Sequence, residues 1–284
     1  MTIPLLLVLC SGIMHAAWNF ITKKEKHKTV FLWMATFVAF FLLLPFFIAE
    51  LAHFRIPLHV WFFVALSILY QIGYYLLLDK AYTYSDLSQV YPLIRGTGAL
   101  LVTVLGVMLF RESLSWIGWV GLDCIVGGLF AISGISPSKI TGGNGPGLKG
   151  VAAGVGVGLC ITGYTVADKV ILQHMSPIIL IQLTYITYLL IALRTVLRSQ
   201  AAVGECRKHW HTVLLGALLV PGSTMLFMFA MQLSPLSYVA PIREIGTVIG
   251  TVLGILVLKE LRGVRRVAMS IVITAGVILI GIGR

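Results

Sequence analysis

A proline-started apolar stretch with an arginine inside it occurs twice in this chain. The first copy is Val90-Tyr91-Pro92-Leu93-Ile94-Arg95-Gly96-Thr97-Gly98, which opens a long apolar segment closing at Arg111-Glu112. The second is Val239-Ala240-Pro241-Ile242-Arg243-Glu244-Ile245-Gly246, and its segment closes at Lys259-Glu260. Pro92 matches Pro241, Gly98 matches Gly246 and Gly106 matches Gly254. Arg95 matches Arg243, with one residue deleted between proline and arginine. A weaker correspondence at nearly the same offset joins Gly12 with Gly158, Trp18 with Tyr164 and Lys23 with Lys169. An arginine in a membrane helix costs roughly 2.5–3.5 kcal/mol on insertion scales, so two at equivalent places ask for a shared role. The duplication makes the chain an internal repeat.

The surroundings of these stretches are apolar enough to need a membrane. Of 284 residues, 58% are hydrophobic and 11% charged, and the mean hydropathy is +0.98. A soluble core has no use for that much apolar surface. A span needs roughly 20 apolar residues. Ten candidates follow, at 3–22, 29–49, 60–78, 87–110, 114–133, 150–171, 177–194, 211–231, 237–258 and 266–283. Between the fifth and sixth lies a Gly, Pro and Ser-rich piece, 136–149, which reads as a linker. It divides the chain into repeats 1–135 and 150–284 of five spans each. An odd number of spans turns the second copy upside down. The expected fold is therefore an all-α polytopic membrane protein, ten transmembrane helices in two inverted five-helix repeats.

The net charge of +11 sits in short loops, where it suits anionic lipid rather than nucleic acid. Cys10, Cys124, Cys160 and Cys206 form no CxxC and read as small core residues, so no metal or cofactor is expected. The start lacks a basic n-region and reads as an uncleaved first helix. No metalloprotease, nucleotide-loop or nucleophile motif is present, so the chain is not read as an enzyme.

Candidate substrate-binding residues lie on several spans. Arg95 is eight residues into its span, about 12 Å at 1.5 Å per residue, which is too deep for easy snorkelling. Arg95 shares a helical face with Gly98 and Gly106, and Arg243 with Gly246, Gly250 and Gly254, faces expected to pack closely on neighbours. Two guanidinium forks brought together by inversion suit a carboxylate, phosphate or phosphonate. The alternative is structural pairing with Asp79, Asp123 or Glu244. Glu244 can hold an ammonium group, bind a proton or neutralise a buried arginine. The first span carries Ser11, His15, Trp18, Asn19 and Thr22 on one face; His15 is a candidate for proton coupling, and Trp18 and Asn19 for cavity walls. Gln71, Tyr74 and Tyr75 on the third span and Thr224 on the eighth offer hydrogen bonds or stacking. Because Asp79-Lys80 is expected to end that third helix, the tyrosines also fit an interfacial belt. Gly150, Gly154, Gly156 and Gly158 read as helix packing. Arg111-Glu112 and Lys259-Glu260 read as interfacial anchors with local ion pairs.

His15-Ala-Ala-Trp-Asn19 with Lys23, Tyr91-Pro-Leu-Ile-Arg95-Gly and Pro241-Ile-Arg243-Glu together resemble the drug/metabolite transporter superfamily, and within it the EamA-type ten-helix carriers. The resemblance covers essentially the whole chain. The subgroup it looks like is the one linked to phosphonate utilisation. It implies a central cavity lined by helices 1, 3, 4, 6, 8 and 9, with the fifth and tenth helices as scaffold. It also implies both termini in the cytoplasm, whereas the loop count of Lys and Arg places them outside.

The sequence thus points to a secondary transporter in a bacterial inner membrane. It would move a small anionic or zwitterionic metabolite by alternating access, as a monomer or homodimer, with proton coupling or exchange. The competing expectation is export of cationic or apolar metabolites with the arginines structural.

Overall fold

A computed structural model describes residues 2–51, 55–84, 87–134, 148–199, 203–204, 208–256 and 264–283. The linker apart from Leu148 and Lys149, Cys206 and the Lys259-Glu260 pair lie outside them. Helices follow one another: α1 (Thr2–Lys24), α2 (Lys28–Leu51), α3 (Leu58–Tyr84), α4 (Leu87–Phe110), α5 (Trp116–Ser133), α6 (Leu148–Ile171), α7 (Pro177–Arg198), α8 (Trp210–Leu233), α9 (Leu236–Ile242), α10 (Ile245–Leu256) and α11 (Val264–Ile282). In lipid, a helix satisfies its own backbone, so long apolar runs take this form. Eight of these helices are long and apolar enough to cross a membrane, and Val267–Ile282 is a shorter apolar helix.

Local signals set several ends. The Ser115 hydroxyl accepts from the Gly118 N–H at 3.1 Å and Ser176 from Ile179 at 3.3 Å, with Pro177 opening α7. Gly134, in the left-handed region at φ 63°, closes α5; only glycine enters that region without steric cost.

Two expectations need correction here. Asp79-Lys80 does not end α3, which runs on to Tyr84 and so places Tyr74 and Tyr75 well inside the helix. The ninth span is not continuous. It breaks at Arg243-Glu244 into α9 and α10. There the ladder tightens: Glu244 N–H donates to Pro241 O at 3.0 Å, Gly246 to Arg243 O at 3.1 Å and Thr247 to Glu244 O at 2.9 Å. A residue deleted from a helix would rotate everything beyond it by about 100°, and a 3₁₀-like turn of three residues absorbs part of that. Pro241 also lacks the N–H that would continue the α-ladder.

The packing follows the inverted repeat. Helix α1 lies against α8, and its counterpart α6 lies against α3; α1 also meets α10, as α6 meets α4. The pairs α2 with α7 and α5 with α11 are their own counterparts. The last pair shows the symmetry at atomic scale. A Cβ on Gly128 would meet Ile273 Cγ1 at 2.6 Å and Met269 O at 3.3 Å. A Cβ on Gly276 would meet Ile125 Cγ1 at 2.8 Å and Gly121 O at 2.5 Å. Positions 121, 125 and 128 thus touch 269, 273 and 276 reciprocally.

Small residues set the other crossings. At Gly12 a Cβ would sit 2.7 Å from Ile245 Cγ2, and at Gly158 2.7 Å from Thr97. Ser11 and Ser223 exchange hydrogen bonds, each hydroxyl donating to the other's carbonyl at 2.7 and 3.0 Å. Gly154 and Gly156 pack as expected, against Val90 and Leu77. The glycine face beyond Arg243 is only partly close-packed, because the space around Gly250 is open. Glu112 is not a mere surface anchor. Its carboxylate accepts from the N–H groups of Leu236 and Ser237, both at 2.7 Å, and so caps the first turn of α9. The rims of the bundle, Phe41, Phe46, Phe62, Leu69 and Leu190 among them, are exposed and suit lipid.

Candidate functional site

The break between α9 and α10 puts Arg243 and Glu244 against α4. Arg95 forks onto Glu244 there, with Nε donating to Oε2 at 3.0 Å and Nη2 to Oε1 at 2.5 Å. The Arg95 side chain is 13% exposed and that of Glu244 4%. The Thr247 hydroxyl donates to Glu244 Oε2 at 3.1 Å. Two parallel bonds of this kind fix both groups. Glu244 is thus occupied by the arginine of the other repeat rather than by its neighbour Arg243.

Arg243 is held differently. Its guanidinium lies over the Phe227 ring at 4.2 Å, a cation–π contact from α8. Its buried Nε has no hydrogen-bond partner. Arg95, Tyr164, Thr165, Phe227, Arg243 and Glu244 line a cavity of about 30 Å³, smaller than a metabolite. Two guanidiniums and one carboxylate leave one positive charge in excess.

His15, on α1, has a buried Nδ1 without a partner and meets Trp18 edge-on at 5.0 Å. Two further polar groups of α1 bond to their own helix: Asn19 Nδ2 donates to His15 O at 2.8 Å and Thr22 to Trp18 O at 2.8 Å. Thr224 likewise donates to Val220 O at 3.1 Å.

On α3, Gln71 Nε2 donates to Ser67 Oγ at 3.1 Å and to Thr184 Oγ1 at 3.4 Å. Ser67 in turn donates to Asp168 Oδ1 at 2.6 Å. Tyr74 meets Tyr164 at 6.2 Å and Tyr75 meets Tyr188 at 5.0 Å, so tyrosines from α3, α6 and α7 gather beside this polar chain. Arg95, Arg243 and Glu244 therefore stand together, and Gln71, Tyr74 and Tyr75 form a second group reached through Tyr164. The sequence reading passed over Asp168, although it is the lone acidic residue of its apolar span. It also took Lys169 as a repeat marker and a loop cation. The Lys169 ammonium donates to Met231 O and, at 2.9 Å, to Ser234 O, closing the end of α8.

The EamA-like transporter family model matches residues 2–134 and 148–282, nearly the whole chain in two copies. The chain belongs to the EamA-like transporter family. Its multi-pass, all-helical bundle is that of a small-molecule transporter. No curated protein matches the chain. A crystal structure described only as that of a protein shares its fold, with a TM-score of 0.73 over 97% of this chain and 95% of the other at 12% identity.

Proposed function

We propose that this EamA-like transporter moves a small anionic or zwitterionic metabolite of the phosphonate, aminophosphonate or amino-acid type by alternating access, in a bacterial inner membrane. The observation that carries the reading is Arg243. It is a buried guanidinium, stacked on Phe227 and without a carboxylate of its own, because Arg95 takes Glu244. A desolvated guanidinium with an unpartnered Nε is an anion's complement. The orphaned Nδ1 of His15 adds a second polar group for the same ligand. Arg95 acts through Glu244, holding the broken segment in place. An ammonium group on a zwitterionic substrate would compete with Arg95 for that carboxylate. The repeats, 1–135 and 150–284 with the linker at 136–149, would rock about this cavity so that it opens to one side at a time.

The Arg95–Glu244 fork also supports a second reading, in which the arginines are structural and the cargo is cationic or apolar. Thermal unfolding of purified protein separates the two. Methylphosphonate, 2-aminoethylphosphonate, phosphate esters, amino acids and lipophilic cations would each be titrated against wild type and Arg243→Gln. A native-state ligand raises the melting temperature by mass action. The expected result is a rise with one anionic or zwitterionic class that Arg243→Gln abolishes. A rise with lipophilic cations that survives Arg243→Gln would establish the second reading instead.

A further inference from the structure

Asp168 is a carboxyl group buried at 5% exposure, and among the described residues no cation is paired with it. It belongs to α6, yet it reaches Ser67 of α3, nine residues and roughly 13 Å along that helix from its first residue. Ser67 Oγ accepts from Gln71 Nε2 at 3.1 Å and donates to Asp168 Oδ1 at 2.6 Å. Among the described residues no other group bonds to Asp168. Gln71 is itself 6% exposed, and its Oε1 is buried without a donor. An acceptor-rich pocket of this kind lacks a hydrogen.

The neighbours do not supply charge. On α6, Lys169 is turned away onto the carbonyls of Met231 and Ser234, and the phenol of Tyr164 is one turn back. From α3 come Ser67 and Gln71, and from α7 comes Thr184, none of them titratable. From α4, Arg95 is engaged by Glu244, and from the segment between α9 and α10, Arg243 lies over the Phe227 ring of α8, so neither pairs with Asp168. A bare carboxylate in such surroundings costs far more than a neutral acid. The counterpart of Asp168 in the first repeat is Thr22, a neutral residue satisfied on its own helix. The carboxyl group therefore stands on one side only of an otherwise duplicated frame.

We infer that Asp168 is the proton-binding residue of this transporter, holding a proton in the closed conformation and releasing it when the seam between α3 and α6 opens to water. The bond from Ser67 to Asp168 joins the two repeats across that seam. As an acid, Asp168 is neutral and the seam stays shut. Once water enters, the carboxyl O–H breaks, the proton passes to water, and the carboxylate is solvated by that water and by Ser67. Reprotonation from the other side reverses the step. The coupling role rests on the transport reading above; the protonation itself does not.

Two measurements keep those apart. Infrared pH-difference spectra of the full chain in nanodiscs need no substrate. They should show the C=O band of a protonated carboxyl that survives above the range where ordinary carboxyls ionise, about pH 4, is lost at higher pH and is missing in Asp168→Asn. Ser67→Ala removes the donor that stabilises the charged form, so it should move the loss of that band to higher pH. In proteoliposomes, a pH gradient should drive accumulation of 2-aminoethylphosphonate by wild type and not by Asp168→Asn. A band that persists in Asp168→Asn, or no pH-dependent carboxyl band at all, overturns the assignment. If the band behaves as expected but wild type accumulates no 2-aminoethylphosphonate, the substrate reading fails and the proton site stands. If both variant and wild type accumulate it equally, coupling through Asp168 is wrong.

Discussion

Removing one member of the Arg95–Glu244 pair leaves the other charged and buried. The side chains are 13% and 4% exposed, so neither survivor can relax fully into water. Breaking such a pair costs about 3–5 kcal/mol, whereas replacing both by apolar groups of similar volume is far milder. Arg95→Met and Glu244→Met should therefore each lower the unfolding temperature in detergent strongly. The double variant should unfold closer to wild type than either. Additive losses would show that the pair is not the energetic unit. The residues of this pair were legible in the sequence, because charged groups in apolar repeats stand out. Their pairing is legible only as one of three alternatives, Asp79, Asp123 or Glu244. Which carboxylate meets Arg95 depends on rotation about the ninth span, and the break at Arg243-Glu244 resets that rotation. Asp168 is visible by the same standard, as the lone acidic residue of its span.

At the scale of elements, the broken ninth span explains why Gly246 and Gly250 are unequal. A Cβ at Gly246 would lie 2.9 Å from the carbonyl oxygen of Gly12, a backbone atom of α1 that cannot swing aside; at Gly250 nothing lies within 4 Å. Overpacking of this kind costs about 1–3 kcal/mol. Alanine in place of an unconstrained helical glycine gains about 0.5–1 kcal/mol. Gly246→Ala should thus lower the unfolding temperature and Gly250→Ala should hold or raise it. Equal losses would mean that α10 packs as one uniform glycine face, as its spacing alone had led us to expect. The single-residue deletion between Pro241 and Arg243, relative to Pro92 and Arg95, was the sequence signal of the break. Helix ends were read less well. Asp79-Lys80 looked like a terminus because charge usually marks the membrane surface, but α3 carries both onward to Tyr84. The cap of Glu112 on α9 is a contact between distant segments, which no local pattern announces.

For the molecule as a whole, the duplication made the fold readable before any coordinates, since the repeat and the odd number of spans imply inversion. What it left open was how much each half depends on the other. Most of the principal helix contacts run between repeats: α1 with α8 and α10, α6 with α3 and α4, α2 with α7, α5 with α11. A half on its own would expose the small-residue faces around Gly12, Gly121, Gly128 and Gly158, whose close approach depends on the partner half. Lipid cannot reproduce that packing, because association of membrane helices relies on close van der Waals fit rather than on exclusion from water. Two polypeptides divided within the linker 136–149 should therefore accumulate in the membrane and copurify when expressed together. The tagged first half expressed alone should be degraded or aggregate. The covalent connection would then matter for assembly but not for the packed state, and the split protein should unfold near the temperature of the intact chain. A first half that is stable and monodisperse alone would show that each repeat carries its own core. The cross-repeat contacts would then be docking surfaces between two independent domains rather than the fold itself.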